Sequence, residues 1–171
     1  LLLTFVCTLT LGIEAGIIIG LIFSLLVFIW RSAHPHIATL GYVDRKNAFL
    51  NKKRFPEART FPGILILRVD ASMYFANTRF IENRLRECLA DRSDICQVVL
   101  DLSGVNDIDA VALHALEHLV EDYKERDILF SFAGMKGPVR DLFTKSGWVE
   151  KFGGEIRYKS LFRVIHDLGQ D

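Results

Sequence analysis

The strongest constraint on this chain is the contrast between its first thirty residues and everything after them. Residues 1–30 are almost wholly apolar and carry one charge, Glu14. All other charged side chains lie from Arg31 onward. The chain's 21 bases and 21 acids therefore hide two different solvents. Without Glu14 the remainder holds 21 bases against 20 acids, a net of +1. That is an ordinary globular balance, and it gives no bulk reason to expect a nucleic-acid partner. Thirteen Phe fall mostly at apolar helix or strand positions, where core packing explains them better than a base-stacking platform.

As one helix, thirty residues would reach roughly 45 Å, against a hydrocarbon core of about 30 Å. Two arrangements fit. Leu1–Leu11 ends one membrane helix, Gly12–Gly16 turns, and Ile17–Trp30 forms a second; or a single tilted helix carries Glu14 inside. The first is favoured, because a charge at the bilayer centre costs several kcal/mol. It places Glu14 in a turn. Gly12, Gly16 and Gly20 repeat every four residues, a spacing that lets membrane helices pack closely. The segment lacks the basic leader of a signal peptide and ends in Trp30-Arg31, an interfacial pairing. With no initiating Met, it is expected to close a larger bundle that continues upstream.

Between Arg31 and Arg59, seven bases face only Asp44 and Glu57. Such an excess beside an apolar span marks the cytoplasmic side and suits contact with anionic lipid. His34-Pro35-His36 reads as a linker, since proline disfavours helix before it; pH sensing by the two histidines is the lesser reading. Ile37–Val43 fits a strand, and residues 44–62, with Pro56 and Pro62, read as a connector.

Beyond Thr60, strands and helices alternate. The runs 63–69, 97–102 and 128–132 are nearly continuous in apolar residues, as strands buried on both faces are. Asn77 is expected to cap a helix bearing Ile81, Leu85, Cys88 and Leu89 on one face. Asp109 is expected to cap the next, where Ala112, Ala115, Leu116, Leu119, Val120 and Tyr123 follow the helical period. Gly137-Pro138 opens a further helix that Gly147 closes. Glu155–Lys159 forms a weak strand, and Ser160 caps a last helix with Leu161, Val164, Ile165 and Leu168 inward. This alternation implies an α/β domain with parallel strand pairing.

The usual catalytic motifs are missing: no G-x-S-x-G, H-E-x-x-H, P-loop or G-x-G-x-x-G occurs. His114 and His118 have metal-ligand spacing but share a polar face with Glu117 and Glu121, so a solvated face is the preferred reading. Cys7, Cys88 and Cys96 are odd in number and have no C-x-x-C spacing; they read as buried free thiols. Neither a catalytic residue nor a metal or cofactor site is assigned.

The stretch Val98-Val99-Leu100-Asp101-Leu102-Ser103-Gly104-Val105-Asn106-Asp107-Ile108-Asp109-Ala110-Val111-Ala112 leads from a buried strand through a short loop into a capped helix. It resembles the STAS domain, shared by anti-sigma-factor antagonists and the cytosolic tails of sulfate permease-type (SulP/SLC26) anion transporters. Pro62–Asp70, Tyr74-Phe75-Ala76-Asn77 and Gly137–Leu142 follow in order. Together with Gly12–Gly20 and Arg31–His36, they look like the transporter branch. The resemblance implies a STAS-like β-sheet with helices packed on it, preceded by a transmembrane helical segment. Its divisions would be membrane segment 1–30, basic juxtamembrane linker and first strand 31–59, and cytosolic STAS domain 60–171.

It further implies the C-terminal part of a secondary anion transporter in a cell membrane. The upstream transmembrane domain, a second copy of the chain and membrane lipid would be its partners, and the substrate residues would lie upstream of Leu1. In antagonists the capped helix begins Asp-Ser, and that serine is phosphorylated. Here the pair is Asp109-Ala110, which has no hydroxyl to phosphorylate, and the family glycine two residues on is replaced by Ala112. Asp107, Asp109, Ala110 and Val111 are the candidate regulatory or ligand loop. Its helix N-terminus could hold a phosphate, which Asp109 would partly repel. Two alternatives stay open: a membrane-tethered partner-switching protein of the anti-sigma-antagonist kind, and a nucleotide-binding sensor domain.

Overall fold

The computed structural model describes residues 2–90, 92–153 and 160–169. The chain divides into two compact units, Leu1–His34 and Pro35–Asp171.

In the first unit, helix α1 (Leu2–Leu11) and helix α2 (Ile13–Ala33) are separated by Gly12 alone. Its φ of 92° lies in a region open to glycine but strained for other residues. The two helices run antiparallel, with Gly16 against the Thr8 backbone and Gly20 against the Thr4 side chain. Thr8 and Thr10 turn their hydroxyls back onto the carbonyls of Thr4 and Val6, at 2.8 and 2.9 Å. In an apolar medium this satisfies the hydroxyls within their own helix. The turn is shorter than the expected Gly12–Gly16, so Glu14 sits not in the turn but in the first turn of α2. Its negative charge there complements the helix dipole. With 21 residues, α2 is long and apolar enough to cross a bilayer.

The second unit is built on a five-stranded sheet: β1 (Ile37–Val43), β2 (Ala48–Asn51), β3 (Ile64–Val69), β4 (Gln97–Asp101) and β5 (Leu129–Ala133). Their order is β2-β1-β3-β4-β5. The first three strands pair antiparallel, while β3, β4 and β5 are parallel. Helices α3 (Phe75–Ala90) and α4 (Ala110–Lys124) make the two parallel crossovers, followed by α5 (Gly137–Lys145), α6 (Trp148–Phe152) and α7 (Leu161–Asp167).

The period of two along each strand divides the core. Leu65, Leu67, Val98, Leu100, Phe130 and Phe132 face α3 to α6, and Ile64, Ile66, Val99 and Ala133 face α7. Both faces of the parallel strands are thus covered, which is why their sequences are continuously apolar.

The connector expected over 44–62 contains β2, entered from a single 3₁₀ turn (Asp44–Lys46) and Asn47 at φ 47°. The strand pairs with β1 through Phe49↔Tyr42 and Leu50↔Gly41. Four residues framed by bases leave too short a pattern to read. Asn77 does not cap α3. It is the third residue of the helix, fully buried, accepting from the Tyr74 amide at 3.0 Å and donating to the Ser72 carbonyl at 2.9 Å. Ser160 occupies the N-cap of α7 without a side-chain capping bond. Cys96 is exposed rather than buried, at the entrance to β4 beside Gly63. Helix α6, absent from the expectations, follows Gly147 at φ 78° and buries Trp148. The strand expected at Glu155–Lys159 lies outside the described residues.

Candidate functional site at the C-terminal edge of the parallel strands

Parallel strands present their loops and the N-termini of their helices at one edge, where α/β domains place their sites. Here the site is built around the loop from β4 to α4. Leu102, Val105 and Ile108 are buried and pin the loop to the core, leaving Ser103, Asn106 and Asp107 exposed. Gly104 passes so close to the Val69 carbonyl and the Asp70 backbone that a Cβ would collide with both. Met73 exchanges two backbone bonds with the loop: its amide donates to the Asp107 carbonyl and its carbonyl accepts from the Asp109 amide, both at 3.0 Å.

Asp109 is the N-cap of α4, with extended backbone. One carboxylate oxygen accepts from the Ala112 amide at 2.7 Å. The other accepts from the Phe75 amide, at the first residue of α3, at 2.9 Å. A single carboxylate therefore ties together two helix N-termini, both of which favour negative charge. One amide at each helix start, Ala112 and Phe75, is thus taken by the protein's own anion, whose charge would also repel an incoming phosphate.

Around this clamp the surface is apolar. Phe75 is 71% and Val111 59% exposed, and Ala110 is exposed beside them. Asp107 uses one oxygen to accept from the Ile108 amide at 2.9 Å. Lys136, which precedes α5, donates to Asn106 across the loop.

A second cluster lies next to Gly104. Asp70, at the end of β3, accepts from the Arg68 guanidinium and bonds the His36 ring at 2.8 Å. Partial burial pushes the Asp70 carboxyl up, but the bonds from Arg68 and His36 outweigh it and hold the group below the usual range. The sequence reading passed over this trio, because its members are separated by up to 34 positions and each is unremarkable alone.

The remaining candidates come out as follows. His114 and His118 are exposed and in mutual contact, their Nε2 atoms 3.0 Å apart. Glu117 pairs with Lys151, whose ammonium holds its carboxyl below the usual range. Among the described residues no group of three or more His, Cys, Asp or Glu could hold a metal ion. Gly12, Gly16 and Gly20 occupy the turn and inner face of the α1–α2 hairpin.

The fold and the loop define a known class. Residues 55–167 match the STAS domain family, and the chain belongs to it. Its relatives over nearly its whole length are sulfate transporters of the SulP/SLC26 kind. The chain is 39% identical to "Sulfate transporter 4.1, chloroplastic" of Arabidopsis thaliana over 98% of its own length, covering 25% of that protein. The chain thus spans about a quarter of the length of the curated relatives it matches. Among solved structures, it is similar to the murine Solute Carrier 26 family member A9 anion transporter in the inward-facing state. There the TM-score is 0.83 at 22% identity, over 99% of this chain and 28% of that one. It is also similar to a putative anti-sigma factor antagonist from Thermotoga maritima, with a TM-score of 0.56 at 12% identity, over 65% of this chain and 92% of that one. At such identities these two likenesses establish the fold alone. The curated relatives that match nearly the whole chain carry the names of transporters, not of enzymes.

Proposed function

We propose that this chain is the C-terminal portion of a secondary active inorganic-anion transporter of the sulfate type. In this reading, residues 1–30 close the membrane domain, residues 31–59 form a basic juxtamembrane linker with the first strand, and residues 60–171 are a cytoplasmic STAS domain without catalytic activity. The domain regulates and stabilises the membrane part and supports a homodimer. The basic stretch touches anionic lipid, and the Gly16 and Gly20 face holds the hairpin closed.

The observation that carries the reading is the extent of the match to sulfate transporter 4.1. It covers 98% of the chain, the apolar hairpin together with the STAS domain. Two local features point the same way. Ala110 gives a partner-switching kinase no hydroxyl, and the Asp109 carboxylate, already bonded to one amide of each helix start, would repel a nucleotide phosphate there. The loop Asp107, Asp109, Ala110 and Val111, with exposed Phe75 beside it, then acts as a contact surface for regulation.

The test is sulfate uptake by the complete protein in a yeast strain lacking its own sulfate permeases, with and without residues 60–171. Saturable uptake that falls when the domain is deleted is expected. No uptake from correctly inserted protein overturns the transport reading; uptake indifferent to the deletion overturns the regulatory one.

A further inference from the structure

On the sheet face that carries α7, away from the Asp109 loop, four aromatic rings converge around an open cavity of about 330 Å³. Tyr42 of β1, Phe49 of β2, Phe61 before β3 and Phe162 of α7 supply them. Ring centroids lie 5.3 Å apart for Tyr42 and Phe49, 5.0 Å for Phe49 and Phe162, and 6.3 Å for Phe49 and Phe61. Phe162 is left 47% exposed, a large aromatic surface in water.

The walls are held firmly. Tyr42 and Arg59 exchange backbone bonds of 2.8 Å in both directions, and the Tyr42 hydroxyl donates to Asn47 at 2.7 Å. That bridge delivers the Arg59 guanidinium to the cavity, 5.1 Å from the Phe61 ring. Among the described residues of the lining, Arg59 and His166 are the charge-bearing groups and none is a carboxylate. Among the described residues Arg59 has no carboxylate partner. An unpaired guanidinium beside aromatic walls matches a ligand with a flat apolar body and an anionic group. The volume falls at the lower end of small-molecule sites, which run from roughly 300 to 1,000 Å³.

We propose that this cavity binds a small aromatic organic anion, its rings among Tyr42, Phe49 and Phe162 and its carboxylate or sulfonate on Arg59. Such a site would make the domain responsive to an organic anion distinct from any transported inorganic one. It does not depend on the transporter reading, and its failure leaves that reading untouched.

The test uses the full chain in lipid nanodiscs with naphthalene-2-carboxylate as probe, naphthalene-2-methanol as its neutral counterpart, and calorimetry with hydrogen exchange as readouts. Saturable binding is expected, with slowed exchange over residues 42–61 and 161–168. Arg59→Gln should weaken the carboxylate about tenfold while leaving the neutral compound unchanged, and Phe162→Ala should weaken both. The proposal is overturned by equal binding of the two compounds, by wild-type affinity in Arg59→Gln, by slowed exchange confined to residues 2–33, or by no saturable binding up to about 1 mM.

Discussion

Replacing Asp109 should loosen two helices at once, one of them 34 positions away in sequence. The wild-type carboxylate accepts from Ala112 at 2.7 Å and from Phe75 at 2.9 Å. Loss of an N-cap alone costs about 0.5–2 kcal/mol, and a hydrogen bond to a charged group contributes about 1.5–3 kcal/mol. Asp109 is half-buried, so Asp109→Ala should cost about 2–4 kcal/mol in all. Asp109→Asn keeps one accepting oxygen and turns an N–H₂ toward the other donor, so about half of that loss is expected. Asp109→Ser can still cap α4 but has a single oxygen, too short to serve Phe75 as well. Residue-resolved hydrogen exchange on the full chain separates these cases. In Asp109→Ala, protection of the Phe75 and Ala112 amides should each fall by a factor of roughly 5–30. In Asp109→Ser, the Ala112 amide should recover and the Phe75 amide should not. If Phe75 exchanges as in wild type in the alanine variant, the two-helix clamp is refuted.

Three further outcomes follow from the packing and the charges. Gly16→Ala places a methyl against the Thr8 backbone, whereas Gly20→Ala meets only the Thr4 side chain; Gly16→Ala should therefore lower the thermal midpoint in detergent more, by an overpacking penalty of about 1–3 kcal/mol. Leu100, 1% exposed between the parallel strands and their helices, should cost about 2–5 kcal/mol as alanine, read as a lower urea midpoint with an unchanged slope. Because the Asp70 carboxyl is held below its ordinary value of 3.8 in the fold, its ionised form stabilises the protein above that value, and the contribution disappears as pH falls through the lowered folded value. Asp70→Asn should therefore be less stable than wild type by about 1 kcal/mol at neutral pH, with urea midpoints converging in acid; a gap that widens in acid would contradict the sign.

The parts of this fold legible in the sequence were those whose physics is local. Strand β1 was readable to the residue, and β3, β4 and β5 to within one or two, because each is a short run of apolar side chains with turn residues at its ends. Asp109 as a cap was legible too, since a cap needs only an acceptor ahead of a helical period. Its bond to Phe75 was not, because that contact exists only once β3, β4 and the Met73 bridge bring the two helix starts together. Asn77 misled for a related reason: it does accept a backbone N–H, that of Tyr74, but from the third position of the helix rather than ahead of it. Strand β2 is only four residues long, and its place is fixed by its register with β1 rather than by its own pattern. The short turn at Gly12 also escaped, because the cost expected of a buried Glu14 suggested a longer turn than one glycine at φ 92° requires. The aromatic cavity combines residues from 42 to 166, and nothing in local spacing marks it.

The most direct test of the central claim is anion flux in a defined membrane. The complete protein containing this chain, purified and reconstituted into proteoliposomes, should carry radiolabelled sulfate across the bilayer along an imposed ion gradient. The flux should saturate with sulfate and be greatly reduced when residues 60–171 are removed. Correctly inserted, folded protein that shows no saturable flux of sulfate or any other small inorganic anion would contradict the account.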